Sequence, residues 1–284
     1  MGRETYWTEQ PDELLHAGKK FTLAGHDTAA TPGFAGDKAA GEKALADGGA
    51  ILAELQSRLY AAGPTGERRS VLLVLQGMDT SGKGGIVTHV IGQMNPGGVS
   101  YYGFKAPTSE ELGHDFLWRV HRRLPGAGQV GVFDRSHYED VLIARVRQLA
   151  LPEEIDRRYR AINDFERNIT ESGTRIVKVM LHLGKEQQKT RLLDRLDRPE
   201  KHWKFHSADV DERLLWDHYQ EAYQLMIEHT STSFAPWYVV PADHKWYARL
   251  AVQHLLIAAL EALGLEWPTA DYDVDIERKK LSAT

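Results

Sequence analysis

The segment VLLVLQGMDTSGKGG, residues 71–85, contains the residues of this chain that most plainly predict chemistry. Within it, the spacing Gly77-x-x-x-x-Gly82-Lys83 matches a phosphate-binding loop, in which backbone N–H groups and the lysine surround phosphate oxygens. An apolar run precedes the loop and a helical pattern follows it, which is the context that the motif requires. The alternative is a glycine-rich turn that happens to precede a lysine. The candidate phosphate-binding residues of the loop are Gly77, Met78, Thr80, Ser81, Gly82, Lys83 and Gly84.

Two features of this loop indicate an unusual way of holding a metal ion. Gly84 follows the lysine, at the position where a Ser or Thr hydroxyl normally binds Mg²⁺. Asp79 places a carboxylate among phosphate oxygens, which is repulsive unless a divalent cation lies between them. Because Mg²⁺ is commonly held by one or two carboxylates together with phosphates and waters, Asp79 is predicted to replace the missing hydroxyl as a metal ligand. Alternatively, Asp79 points away and caps the helix that follows.

A second carboxylate, Asp134, ends the apolar run VGVFD. In P-loop enzymes an aspartate at the end of a strand helps to hold Mg²⁺, so Asp134 is predicted to share the metal with Asp79. Arg135 follows directly and could bind a phosphate or stabilise charge on the transferred group. The alternative for Arg135 is a salt bridge to Glu139 or Asp140. The candidate catalytic residues are therefore Asp79, Lys83, Asp134 and Arg135.

Basic residues cluster in a predicted helix later in the chain. Arg191, Arg195 and Arg198 are spaced i, i+4, i+7 and share one helical face, and Lys201 lies just beyond. Small-molecule kinases close such arginines over transferring phosphates from a mobile lid. The alternative is a solvated face whose charges pair with the aspartates of the same helix. A second basic cluster, which could guide a long polyanion toward the loop or be ordinary surface, comprises Arg119, Arg122 and Arg123.

Strand and helix patterns alternate along the chain. Apolar runs predict strands at 71–76, 99–104, 129–134, 175–183 and 237–243. Helical patterns occupy 50–60, 83–94, 108–124, 136–149, 152–171, 185–198, 210–230 and 245–263. Thr108 and Glu111 form a capping-box signature. The alternation predicts an α/β fold with a parallel sheet and helices on both faces. Residues 1–49 are predicted to be an N-terminal arm, and residues 50–284 the main domain.

Composition narrows the class of protein. The chain has 284 residues, no cysteine and a formal net charge of −5. Disulfides and thiolate metal sites are therefore excluded, which suits a cytoplasmic location. No run approaches 18 apolar residues and the N-terminus lacks a signal-peptide core, so no membrane association is expected. The net negative charge means that a polyanion would need local basic patches, and no nucleic-acid partner is predicted.

Six segments together resemble the family-2 polyphosphate kinases. They are GMDTSGKGG (77–85), FKAPTSEEL (104–112), FLWR (116–119), FDRSHYEDVL (133–142), DRPEKHWKF (197–205) and APWYVVPADHKWYARL (235–250). They occur in the family's order and extend over most of the chain from about residue 50 to 265. As a set they are far more specific than the phosphate-binding loop alone.

The resemblance implies a three-layer P-loop fold similar to thymidylate kinase, with a helical lid at about 185–231. It implies Mg²⁺-dependent phosphoryl transfer, with Mn²⁺ as a possible substitute, between inorganic polyphosphate and AMP, ADP or ATP. In the family pattern Asp79 and Asp134 carry the metal, and Lys83 and Arg135 bind phosphate. The further residues that it places at the transfer site or in the lid are Lys105, Arg195, Arg198 and Lys201.

The segment SHYEDV looks more like the branch of the family that accepts both AMP and ADP than like the branch with SWY. In that branch Asn often precedes the arginine, whereas this chain has Asp134, which is the better metal ligand. The family often assembles into dimers or tetramers, so a homodimer or homotetramer is expected.

Two other functional classes share some of these features. An ATP-dependent nucleoside monophosphate kinase would have the same loop, lid and metal. A guanine-nucleotide switch would read its base with an Asn-Lys-x-Asp segment after a strand, and the sequence contains none. A polyanion-binding module without chemistry is a third alternative, which the paired carboxylates disfavour.

Overall fold

The computed structural model describes residues 6–18 and 20–284. A five-stranded sheet lies at its centre, in the order β2-β3-β1-β4-β5, and every pairing between neighbouring strands is parallel. The strands are β1 (Ser70–Gln76), β2 (Val99–Gly103), β3 (Val130–Asp134), β4 (Thr174–His182) and β5 (Trp237–Pro241). All seven residues of β1 are buried, as expected of a central strand with helices on both faces. The predicted α/β fold with a parallel sheet is confirmed.

Helices cover both faces of the sheet and give the molecule three layers. In chain order they are α1 (Pro11–Leu14), α2 (Lys38–Ala62), α3 (Lys83–His89), α4 (Ser109–Leu112), α5 (Trp118–His121), α6 (Glu139–Val146), α7 (Pro152–Glu171), α8 (Lys185–Asp197), α9 (Ala208–Leu214), α10 (Trp216–Thr230), α11 (Lys245–Glu261) and α12 (Val274–Ser282). One apolar core joins the sheet to α2, α3 and α11, and a second joins the opposite face to α6, α7 and α10. No helix in the described part of the chain is long and apolar enough to cross a membrane.

Helix α2 begins twelve residues before the predicted start at residue 50, and its glycines explain the difference. The sequence there, rich in Gly and Ala, is typical of a loop. In the structure these glycines allow close packing instead: a Cβ at Gly41 would lie 2.2 Å from the Trp246 ring, and one at Gly48 would lie 2.3 Å from Gln253 Oε1. The side chain of Asp37 caps the helix by accepting a hydrogen bond from the backbone N–H of Ala40.

The segment before α2 lies against the body of the protein. The backbone N–H of Ala17 donates to the carbonyl of Trp237 over 2.8 Å, and His16 forms an antiparallel bridge with Tyr238. The ring of Trp7 packs edge-on against that of Tyr247, with 6.2 Å between their centres. His16 and Ala17 therefore lie beside β5 at the edge of the sheet, and Trp7 packs against α11.

Two predicted helices are interrupted. The helix predicted at 108–124 divides into α4 and α5, because α4 ends at Gly113 and the Asp115 side chain accepts from the N–H of Leu117 to begin the next turn. The capping box of Thr108 and Glu111 is confirmed. The helix predicted at 210–230 is broken at Leu215, whose φ of −91° and ψ of 18° leave the helical range. By contrast, the bounds predicted for 152–171 match α7 at both ends.

Candidate active site

The loop between β1 and α3 has the conformation of an anion-binding cradle. Gly77 has a φ of +149°, and a Cβ there would lie 2.7 Å from Ser81 Oγ and 2.8 Å from the Leu181 carbonyl oxygen. Gly82, with a φ of +116°, occupies the left-handed region that favours glycine and turns the chain into α3. Among the described residues, the buried hydroxyls of Thr80 and Ser81 have no hydrogen-bond partner, so they remain available to a ligand.

Lys83 is the first residue of α3, and its side chain extends back into this loop. Its Nζ donates to the Gly77 carbonyl over 2.6 Å and lies 3.4 Å from the Met78 carbonyl. Burial lowers the pKa of Lys83, while the charge of Asp134 and, to a smaller extent, that of Asp79 oppose this effect. The two predicted metal ligands therefore both lie close enough to act on the lysine of the loop.

Asp79 and Arg135 join the two loops that form the site. Arg135 Nη2 donates to Asp79 Oδ1 over 3.0 Å, in a pair that remains partly exposed to solvent. Asp79 therefore does not cap α3, and the ion pair considered for Arg135 forms with Asp79 rather than with Glu139 or Asp140. Burial tends to lower the pKa of Arg135, but the Glu139 and Asp79 carboxylates outweigh it and leave that pKa raised. The arginine stays charged and can exchange its carboxylate for a phosphate.

Asp134 is the last residue of β3 and lies in register with Leu75 of β1 and Gly103 of β2. Burial and the negative charge of Asp134 raise the pKa of Tyr101 on β2. Because the carboxyl ends of parallel strands meet at one edge, Asp134 and the loop after β1 are neighbours. The structure thus places Asp134 beside the phosphate loop, as the sequence predicts.

Glu139, in the first turn of α6, is a carboxylate of this site that the sequence reasoning did not assign. Burial raises its pKa, while the charges of Arg135 and Lys83 act in the opposite direction. The site therefore contains three acidic groups, from Asp79, Asp134 and Glu139, around one lysine and one arginine. Only the proximity of Glu139 to Asp134 in the sequence could have indicated it.

The lid cations pair with acidic residues of their own segment. Arg195 contacts Asp209 at 3.3 Å, and Arg198 contacts Glu200 at 2.6 Å. Lys201 pairs with the Asp194 carboxylate of α8. The cations of the predicted lid therefore pair with carboxylates, as in the alternative of a solvated face, although Glu200 and Asp209 lie outside α8. Lys105 is exposed, and its carbonyl oxygen accepts a hydrogen bond from Arg119 over 2.8 Å.

Two residues of α8 support the phosphate loop from outside. The buried Arg191 donates to the carbonyl oxygens of Thr80, at 2.8 Å, and Ala242, at 2.6 Å. Gln188 Nε2 donates to the Asp79 carbonyl over 3.2 Å. The sequence assigned Arg191 to the lid face, but the structure shows that it holds the loop backbone in place.

Two cations at the start of α11 were missed by the sequence reasoning. Arg249 packs beside the loop helix, with its guanidinium 3.5 Å from the position of a Cβ at Gly85. Neither Arg249 nor Lys245 forms an ion pair within 4.0 Å with a carboxylate of residues 6–18 or 20–284, in contrast to the lid cations. Burial lowers the pKa of Lys245, and so do the nearby charges of Arg191 and Lys201. Asp194 opposes this change at Lys245, and Glu42 acts on Arg249, so both cations lie near carboxylates without pairing directly with them.

Comparisons with known proteins identify the family of this chain. The family model of polyphosphate kinase 2 matches residues 35–266. The chain is 45% identical over 261 residues to an AMP/ADP-polyphosphate phosphotransferase of Meiothermus ruber, covering 91% of this chain and 96% of that relative. It is 44% identical over 229 residues to an ADP-polyphosphate phosphotransferase of Rhodopseudomonas palustris, covering 76% and 78%. The crystal structure of polyphosphate kinase 2 from Arthrobacter aurescens TC1 matches with a TM-score of 0.96 and 55% identity over 98% of each chain. The chain therefore belongs to the polyphosphate kinase 2 family.

Proposed function

We propose that this enzyme transfers the terminal phosphate of inorganic polyphosphate to AMP and ADP, in a reaction that can run in both directions. The relative from Meiothermus ruber bears the name of that activity and matches this chain over nearly its whole length. The observation that carries the proposal is a phosphate loop without a metal-binding hydroxyl, which the Asp79–Arg135 ion pair joins to the end of β3, where Asp134 lies. Such a site suits a donor that consists of phosphate groups alone.

The chemistry requires positioning more than proton transfer. The terminal phosphate oxygen of the nucleotide attacks the end phosphorus of the polymer, and the bond from that phosphorus to the bridging oxygen breaks. The attacking oxygen is already anionic, so no general base is needed. In this proposal Lys83 and Arg135, which now bond the Gly77 carbonyl and Asp79, bind oxygens of the transferred group and stabilise the charge that develops there. Holding donor and acceptor in line supplies much of the remaining rate.

The metal proposed for this site is Mg²⁺, with Mn²⁺ as a substitute, held by Asp79 and Asp134. In residues 6–18 and 20–284 there is no group of three or more His, Asp or Glu side chains arranged around a metal position. Asp79 and Asp134 would offer two carboxylates, and Mg²⁺ binds one or two carboxylates and completes its coordination with substrate phosphates and water. When bound, the ion would neutralise phosphate charge that Asp79 would otherwise repel.

The test of this function is nucleotide production with polyphosphate as the sole phosphate donor. Purified enzyme, Mg²⁺ and polyphosphate are incubated with AMP or with ADP, and the products are separated by chromatography. We expect ADP from AMP and ATP from ADP. An ATP-dependent monophosphate kinase would give no ADP from AMP without ATP, and it would form ATP from ADP only by disproportionation, with an equal amount of AMP and without polyphosphate. A nucleotide switch would give no product with either donor.

The unpaired cations of α11 predict the path of the polymer. Phosphates remote from the reacting end are expected to contact Lys245 and Arg249, because the lid cations already have carboxylate partners. Arg249→Met should raise the KM for long polyphosphate about tenfold, the cost of one hydrogen bond between charged groups. The KM for tripolyphosphate should change less, because this short donor has few phosphates beyond the reacting end.

The matched control for this prediction is Arg122→Met. Arg122 stacks over the Trp118 ring, 4.7 Å from its centre, in the other basic cluster of the chain. If Arg122→Met raises the KM for long chains and Arg249→Met does not, the polymer takes the opposite path and the assignment to α11 is wrong.

A further inference from the structure

Lys178 lies in the middle of β4 and is completely buried, which is a rare position for an ammonium group. Its Nζ donates to Glu166 Oε2 over 2.6 Å, to the Tyr138 hydroxyl over 2.9 Å and to the Thr230 carbonyl over 2.7 Å. These three bonds use all three donors of the group. Removing a charge from water is costly even when it is paired, so this arrangement calls for a role beyond filling the core.

Glu166, on α7, is equally buried and is also fully bonded. Its Oε1 accepts from the Tyr138 hydroxyl over 2.7 Å and lies 3.2 Å from His137 Nε2, while Oε2 bonds Lys178. Burial opposes its charge, but the attraction of Lys178 is the largest of the effects that keep the pKa of Glu166 below its usual value. Burial lowers the pKa of Lys178, and the Glu166 carboxylate opposes this change, so each charge stabilises the other inside the apolar core.

The network leads directly to the active site. His137 and Tyr138 belong to the short connection from β3 to α6 that begins with Asp134 and Arg135. Arg135 has a φ of +64°, a left-handed conformation that costs free energy in a residue other than glycine. Such a conformation persists only where its surroundings hold it. Among those surroundings, the contacts of His137 and Tyr138 with Glu166 and Lys178 anchor the end of this connection to α7 and β4.

We propose that Lys178 and Glu166 are positioning residues for phosphoryl transfer, whose buried ion pair fixes, through Tyr138, the segment that carries Asp134 and Arg135. This inference rests on the proposed function. Neither side chain contacts the phosphate loop, so both act through the connection from β3 to α6. The bond from Lys178 to the Thr230 carbonyl also ties this connection to the last residue of α10.

The first test replaces both charges together, in the double variant K178M/E166L. Exchanging a buried ion pair for apolar side chains of similar size is often neutral for stability, so the midpoint of urea unfolding should be retained. Turnover with polyphosphate should fall about 10- to 100-fold, because small displacements of reacting groups have effects of that order. Arg135→Ala should cost much less turnover in this background than in the wild type, since Arg135 is already displaced. An equal cost of Arg135→Ala in both backgrounds overturns the proposal.

A second variant keeps the proposal testable if the double variant does not fold. Tyr138→Phe removes only the hydroxyl that joins the connection to Lys178 and Glu166. We expect kcat to fall severalfold with an unchanged KM for both substrates. The control is Asn163→Ala, which removes a 2.9 Å bond from α7 to the His229 carbonyl of α10 without touching the connection.

The kcat values of these variants distinguish a positioning role from a structural role. A fall in kcat with Tyr138→Phe but not with Asn163→Ala supports a positioning role. Equal falls that follow the loss of stability show a structural role alone and overturn it. Wild-type turnover with polyphosphate as sole donor is measured first, because its absence would refute the proposed function rather than this inference.

Discussion

Replacing Asp79 with Asn is expected to lower kcat by about 10²–10³-fold while the fold stays intact. Asn has the same size as Asp and retains an oxygen that can accept the 3.0 Å hydrogen bond from Arg135. The variant loses a negative charge and, with it, the proposed carboxylate ligand of the divalent cation. The requirement for Mg²⁺ should therefore rise as well. Turnover is measured across a magnesium titration, with ADP and polyphosphate at saturation, and circular dichroism checks the fold.

Asp47→Asn is the matched control for this change. Asp47 is an exposed carboxylate of α2 that pairs with Lys43, away from the phosphate loop. Its replacement should leave turnover and magnesium dependence unchanged. If Asp79→Asn retained near-normal turnover at the magnesium concentration that the wild type needs, the assignment of Asp79 as a metal ligand would be wrong.

Lys83→Met should have an effect of similar size, a fall of about 10²–10³-fold in turnover. Methionine has about the length of the lysine stem but lacks the ammonium that lies against the Gly77 and Met78 carbonyls. Without that positive charge, Asp79 and Asp134 would face the incoming phosphates with less compensation. Because burial already lowers the pKa of Lys83, its removal should not unfold the protein, which urea denaturation will verify.

Arginine should not restore this activity. The guanidinium of Lys83→Arg is planar and wider than an ammonium, and it cannot occupy the same enclosed position among loop carbonyls. The control is Lys43→Met, which removes an exposed lysine of α2. Turnover of Lys83→Met within threefold of the wild type would refute a role for this lysine in transfer.

Much of the architecture could be predicted because the apolar periodicity agrees with the residues that begin and end helices and strands along this chain. The run from Val71 to Leu75 is apolar throughout, and its burial on both faces is what such a run requires. Pro152 and the acidic residues after it mark the start of α7 without ambiguity. The early start of α2 was missed because glycine lowers helix propensity, while its packing value depends on a partner more than two hundred residues away in the chain.

The chemistry of the loop could be predicted because each of its residues is defined by local spacing. The partners of those residues could not, since they come from distant segments. Arg191 was predicted to be one of a row of lid arginines, yet in the structure it lies in the middle of α8 and bonds the Thr80 carbonyl. Lys245 and Arg249 are one helical turn apart, but their spacing does not show what they lie against, and only the tertiary structure places Arg249 next to Gly85.

The glycines Gly41 and Gly48 of α2 have a practical consequence for shortened forms of the enzyme. Trp246 and Gln253 of α11 fill the spaces left by Gly41 and Gly48, and Trp246 lies in the same helical turn as Lys245 and Arg249. An expression clone starting at residue 50 would delete about three turns of α2 and leave those two side chains facing water. The helix that we expect to guide the polymer would then lose the surface against which it is aligned.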